Sequence, residues 1–262
     1  MQAAGSSRHS RRGRRRRTRA VLLVGALVLA GPAVLVGEVV WAVRGPDGVA
    51  FTPPPATPQR YGGDDGEALR LAVLGDSTAV GQGAGYRDGI AVGAAEHLAK
   101  RGPVELLNVG KSGAVWDDVR GEQVARVARF APDVALVAAG ANDVTHLTST
   151  GAVTKDVEAT VARLRAANPE VEIVLTGSPA MGVVPRFAQP LRWVAGQRTR
   201  RLNAAIAATA ADLGLTIAPI AERTGQLFAA DRSLFAADDF HPSARGYATW
   251  RPVIARALDA AG

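Results

Sequence analysis

From Leu69 onward, short apolar runs alternate with longer stretches of helical periodicity, and this alternation narrows the folds open to the chain. Candidate strands are Leu69–Leu74, Val104–Val109, Val134–Ala139, Ile173–Thr176 and Thr216–Ile220. Helices are predicted near Ile90–Lys100, Asp117–Phe130, Thr154–Ala167 and Leu191–Leu213, with a last one from about Ser243 to Ala260. In the third of these, Val157 and Val161 recur behind Thr154, and Asn168-Pro169 closes the segment. Runs this short and continuously apolar suit strands buried on both faces. The strand–helix order implies a parallel sheet covered on both faces by right-handed crossovers. The expected class is α/β, a three-layer α/β/α arrangement around a central parallel sheet of about five strands.

The first run, Leu71–Leu74, leads into Gly75-Asp76-Ser77. Open α/β sheets bind ligands outside the carboxyl ends of their strands. A serine one turn past such a strand can be exposed while the backbone behind it is fixed, as a nucleophile requires. Gly-Asp-Ser alone is also ordinary turn chemistry. Three later loops answer it: Asn108-Val109-Gly110-Lys111-Ser112-Gly113 after the second strand, Gly140-Ala141-Asn142-Asp143 after the third, and Asp238-Asp239-Phe240-His241-Pro242 ahead of the final helix.

The four blocks, in this order and at loop positions, resemble the SGNH hydrolases, also called the GDSL esterase/lipase family, in particular its membrane-anchored bacterial type. The likeness spans Leu71 to about Ala257. It implies a flavodoxin-like sheet, with Ser77 as nucleophile and its own N–H as one oxyanion donor. It further implies Gly113 as a second donor through its N–H, Asn142 as a third through its side-chain amide, His241 as general base and Asp238 as its orienting partner. The chemistry is coherent in itself: a serine hydroxyl needs a base, and the base needs a carboxylate to fix its tautomer. Oxyanion donors must be preorganised, and a glycine lets the backbone approach the substrate. Asp239 competes with Asp238 for the orienting role, and Asn142-Asp143 could instead cap a helix. Asp76 is expected to fix its loop, His146 to line the cleft or serve only its loop, and His97, Lys111 and Ser112 to be structural.

Other catalytic signatures do not fit. There is no Gly-x-Ser-x-Gly elbow. Gly81-Gln82-Gly83-Ala84-Gly85 lacks both the dinucleotide spacing and a P-loop ending. No histidine–carboxylate set has metal-ligand spacing, and the mechanism calls for no cofactor. The segment Pro179–Trp193 follows the fourth strand and should overhang the Ser77 edge. Its Met181, Phe187 and Trp193, with Val183 and Val184, could wall an acyl chain, and Arg186 and Arg192 could meet an anionic group; the plain alternative is a loop packed on the next helix. Short connections elsewhere predict a shallow site that suits small acyl esters.

The N-terminal region has a different character. The formal charge is +7, but residues 1–19 carry eight arginines and no acid, leaving 31 − 8 = 23 bases against 24 acids in the remainder. A near-neutral body gives no footprint for nucleic acid. Ala20 to Val43 is long enough for a bilayer core of about 30 Å, with Glu38 and Trp41 near the far interface. The expected order is a basic cytoplasmic tail (1–19), a transmembrane helix or signal anchor (20–43), a Pro/Gly-rich linker (44–66) and the hydrolase domain (67–262). The domain would then face outward from the cell membrane, or be secreted if a signal peptide is cleaved. A twin-arginine signal is disfavoured because Arg19 stands where a hydrophobic residue is expected. With no cysteine, disulfides and thiol chemistry are excluded. The chain thus reads as a serine hydrolase of carboxylic esters, its small substrate an acyl lipid or an acetylated sugar. The alternatives are an O-deacetylase of cell-envelope carbohydrate and a non-catalytic envelope ligand-binding module.

Overall fold

Leu71–Leu74, Val134–Ala139 and Ile173–Leu175 are each 3% exposed or less and form the middle of a sheet buried on both faces. The computed structural model describes residues 51–63 and 65–262. The basic tail, the apolar span over 20–43 and the first part of the linker lie outside the described residues. Among the described residues, no helix is long and apolar enough to cross a membrane.

Strands β1 (Gln59–Tyr61), β2 (Leu69–Gly75), β3 (Val104–Asn108), β4 (Val134–Ala138), β5 (Glu172–Leu175) and β6 (Thr216–Ile217) form one sheet in the order β1-β3-β2-β4-β5-β6. β2 to β6 run parallel, as the alternating pattern predicts, and β1 is antiparallel to β3. The additional strand, β1, falls within the stretch read as linker, so the chain joins the sheet before residue 67. Three residues with no repeat of apolar character leave no periodic signal; what makes them a strand is the free edge of β3.

The α-helices longer than one turn are α1 (Ile90–Leu98), α2 (Val124–Phe130), α3 (Ala141–Thr145), α4 (Thr150–Ala167), α5 (Leu191–Asp212), α6 (Ile220–Ala230) and α7 (Ala244–Ala261). α1, α6 and α7 share one face, α7 touching both of the others, while α2, α4 and α5 pack in succession on the opposite face. α4 starts earlier than Thr154 because the Ser149 side chain accepts the Ala152 N–H and caps it. Its Val153, Val157, Val161 and Leu164 are buried at helical spacing. α6 was hidden by the apolar run preceding it, although Ile220, Thr224 and Phe228 recur every fourth residue and are buried.

Neighbours of β2 lie on both sides, β3 on one and β4 on the other. The connections from β2 and β3 therefore leave in opposite directions, opening a crevice at the carboxyl end of β2. Ser77 stands two residues past that end.

Candidate active site

The Ser77 turn is held from three directions. The Asp76 N–H continues the ladder to the Ala138 carbonyl at 2.9 Å, and Asp76 Oδ1 accepts both the N–H and the hydroxyl of Thr78 at 2.8 Å. Asn108 Nδ2 donates to the Ala79 carbonyl at 2.8 Å, tying the second loop to the same turn. The third hold is Gln123, 2% exposed, whose Oε1 accepts the Gly75 N–H at 2.7 Å and whose Nε2 donates to the Gly75 carbonyl at 2.9 Å. Gly75 has φ of +136°, and a Cβ there would lie 1.8 Å from the Ala138 carbonyl oxygen, so no other residue fits. Asp76 is fully buried, and burial outweighs its Thr78 hydrogen bonds to push its carboxyl up. It braces the loop, the role the sequence suggested.

Asp238 and His241 meet as the Asp-x-x-His spacing requires. Asp238 Oδ2 lies 2.6 Å from His241 Nδ1, and Asp238 Oδ1 accepts the backbone N–H groups of Phe240 and His241, each at 3.0 Å. Burial opposes the Asp238 charge, but the hydrogen bonds from His241 and the two backbone groups prevail and hold its carboxyl below the usual range. A carboxylate accepts only, so Nδ1 carries the proton and Nε2 is left as the basic nitrogen. Asp239 does not compete. It adopts φ of +56° and its carboxylate turns away to the Arg232 guanidinium, with Oδ1 2.9 Å from Nε.

The Gly113 and Asn142 loops are fastened together. Asn142 Nδ2 donates to the Ala114 carbonyl at 2.9 Å, and Asp143 Oδ2 accepts the Trp116 N–H at 3.2 Å. Asn142 lies inside α3, whose N-cap is Gly140, so its side chain reaches across to the next loop and does not cap. One amide N–H of Asn142 remains for another acceptor. Burial, stronger than the Trp116 hydrogen bond that opposes it, raises the Asp143 carboxyl to about 6. His146 is exposed, its Nδ1 2.8 Å from the Asn142 carbonyl of its own helix, and His97 pairs with Asp259 at 2.7 Å.

Ser77 and His241 line one pocket, whose remaining walls are apolar except for Thr78 and Thr224. Met181, Val183 and Val184 form one side, as the sequence suggested. Phe228, Phe235 and Trp250 form the other, because α6 and the start of α7 close over a site expected to be shallow. Phe187 is buried behind the wall, edge-on to Phe240 at 5.8 Å between centroids. Trp193 is 61% exposed and borders a neighbouring groove. Arg192 donates to the Phe187 and Pro185 carbonyls at 2.8 and 3.1 Å, and Arg186 lies 6.0 Å above the Phe240 ring. Arg192 therefore ties down its own loop, and Arg186 packs on the loop that carries His241. No cluster of three or more His, Asp or Glu that could hold a metal occurs among the described residues.

Two site-building residues escaped sequence reasoning. Gln123 carried no signal, since a polar residue inside a helical stretch reads as surface. Gly83 did carry one, the density of glycines just past Ser77. Its φ is +97°, and it lies directly beneath His241 and Pro242, so the glycine-rich run serves close packing and not phosphate binding.

A parallel sheet in this order, a serine at its crossover point and an Asp–His pair beside it define a hydrolase of the SGNH type. The profile of the GDSL-like Lipase/Acylhydrolase family matches residues 73–249, and the chain belongs to that family of esterases and lipases. The GDSL-like esterase Rv1075c of Mycobacterium tuberculosis (strain ATCC 25618 / H37Rv) is 32% identical over 268 residues, covering 93% of this chain and 83% of that protein. Among solved structures, TesA is similar with a TM-score of 0.61 at 17% identity, over 74% of this chain and 100% of that one. Phospholipase A1 from Streptomyces albidoflavus NA297 gives a TM-score of 0.53 at 22% identity, over 73% of this chain and 100% of that one.

Proposed function

We propose that the protein hydrolyses carboxylic esters through an acyl-enzyme on Ser77. The Ser77 hydroxyl adds to the ester carbonyl as His241 Nε2 takes its proton. The tetrahedral oxyanion is met by the N–H groups of Ser77 and Gly113 and by the free amide N–H of Asn142. Collapse expels the alcohol, which receives the proton from His241. Water, deprotonated by the same nitrogen, then releases the acid and restores Ser77. Asp238 keeps the imidazole in the tautomer that leaves Nε2 basic. The observation that carries this reading is the 2.6 Å contact between Asp238 and His241 in a pocket that also contains Ser77.

The test is hydrolysis of p-nitrophenyl esters by the full-length chain in mild detergent, beside Ser77→Ala, with mass spectrometry after a fluorophosphonate probe. Loss of turnover in the variant and a probe adduct on Ser77 are expected. A folded protein that neither turns over nor labels would make it a binding module. The confined pocket also favours a second reading, removal of acetyl groups from cell-envelope carbohydrate.

The apolar span over 20–43 behind an arginine-rich start supports a membrane-anchored protein whose catalytic domain lies outside the cytoplasmic membrane, bound to the bilayer through that segment. Since the chain has no cysteine, a single Ala208→Cys on the exposed side of α5 gives a clean reporter. Labelling of intact cells by a membrane-impermeant maleimide is expected. Labelling only after lysis would put the domain in the cytoplasm.

A further inference from the structure

One residue that lines the pocket beside Ser77 has no side chain. Gly225 lies in the interior of α6, where glycine is a markedly poorer helix former than alanine. Something other than helix stability accounts for it. Gly225 and Ala180 both line the pocket, and a Cβ on Gly225 would stand 3.0 Å from the Ala180 Cβ, tighter than ordinary contact. A side chain here would occupy the space the pocket offers.

The wall around Gly225 is fixed, and its side-chain donors are already used. Trp250 Nε1 donates to Thr224 Oγ1 at 3.0 Å, and the Thr224 hydroxyl donates to the Ile220 carbonyl at 2.6 Å. The Phe228 ring packs against Phe235 at 5.0 Å and Trp250 at 5.6 Å. The free volume is about 30 Å³. A space of that size admits a few water-sized groups at most and suits a short acyl chain.

The order of chemical events decides which half of an ester enters. In an acyl-enzyme pathway the alcohol departs first and needs an open route, while the acyl group stays bonded to Ser77 until water arrives. A confined, mostly apolar pocket suits the group that stays. We infer that Gly225 sets the acyl-length limit of this enzyme, so that acyl groups from acetyl to about butyryl are accepted and longer ones are rejected. This rests on the ester-hydrolase reading of Ser77.

The experiment compares kcat/KM of the full-length chain for p-nitrophenyl acetate, butyrate, hexanoate and octanoate with that of Gly225→Ala and Met181→Ala. A parallel series of acetate esters varies only the alcohol, from ethyl to hexyl. The unmodified protein should lose about tenfold or more beyond butyrate, the usual cost of a methylene that does not fit. Gly225→Ala should lower the butyrate-to-acetate ratio about tenfold, and Met181→Ala, which opens the opposite wall, should raise the hexanoate-to-acetate ratio. Should Gly225→Ala not fold, as thermal melting would report, Met181→Ala carries the test. An optimum at octanoate, equal effects on all acyl lengths, or ratios that follow alcohol length would overturn the assignment. Failure of the ester-hydrolase reading looks different: no turnover of any ester and no fluorophosphonate label on Ser77.

Discussion

A methyl group on Gly83 would stand 2.7 Å from the Cβ of His241 and 2.4 Å from the Pro242 carbonyl oxygen. The histidine loop thus rests on the backbone just downstream of the nucleophile. Tyr247 strengthens the same junction, its hydroxyl donating to the Gln82 carbonyl at 2.8 Å. Gly83→Ala should push His241 away from Ser77 and, at φ of +97°, strain the loop as well. A displacement of about 1 Å at a catalytic group costs about 10²-fold, so kcat/KM should fall by about that factor. Steady-state kinetics checks this, with an unchanged circular dichroism spectrum as the control.

The two adjacent aspartates should separate cleanly. Asp238→Asn removes the acceptor that selects the His241 tautomer, and kcat should drop by about 10³–10⁴-fold. Asp239→Asn loses only the exposed pair with Arg232 and retains a side chain that tolerates the left-handed backbone. Its kcat should stay within about threefold, as exposed pairs contribute little. Comparable losses in both variants would contradict the assignment.

Gln123 should matter to both stability and turnover. Gln123→Ala removes the partner of the Gly75 N–H inside the core, and leaving such a group unpaired costs about 1–3 kcal/mol. The emptied volume adds to the loss. A fall in unfolding free energy of about 2–4 kcal/mol is expected in urea titrations. Because Gly75 precedes Ser77 by two residues, kcat should fall together with stability.

Asp143 makes stability depend on pH. Its carboxyl is raised to about 6 in the folded protein from an ordinary value of 3.8. The folded state therefore binds this proton more tightly than the unfolded state. The associated stability is complete below about pH 4 and is lost as the pH rises through about 6. The difference between those limits is about 3 kcal/mol. Asp143→Asn keeps an acceptor for the Trp116 N–H and removes the titration. Melting curves from pH 4 to 7 should show the variant gaining on the unmodified protein as the pH rises, and parallel curves would refute the assignment.

Much of this molecule is legible in its sequence. The strands Leu71–Leu74, Val134–Ala139 and Ile173–Leu175 announce themselves because burial on both faces demands unbroken apolar runs. The Ser77, Gly113, Asn142 and His241 loops could be placed because each follows a strand or precedes a helix whose limits are marked by turn residues. Asp238 could be paired with His241 because a spacing of three closes within one turn. In each case the interaction is local, or the constraint falls on one segment alone.

What remained needed the tertiary structure, since it depends on segments distant in the chain. Gln123 reaches Gly75 across 48 positions, and Tyr247 reaches Gln82 across 165. β1 exists because β3 had a free edge, not because Gln59-Arg60-Tyr61 prefers extended backbone. Phe187 and Trp193 share a segment with Met181, yet only Met181 lines the pocket, because side-chain direction follows from how the loop folds back on α5. The sequence by itself determined the strands, their loops and the Asp238–His241 pair through patterns carried within single segments. Only the packing of α6 and α7 beside Met181, Val183 and Val184 decided that the site is a confined, mostly apolar pocket, since enclosure depends on how separate segments meet in space.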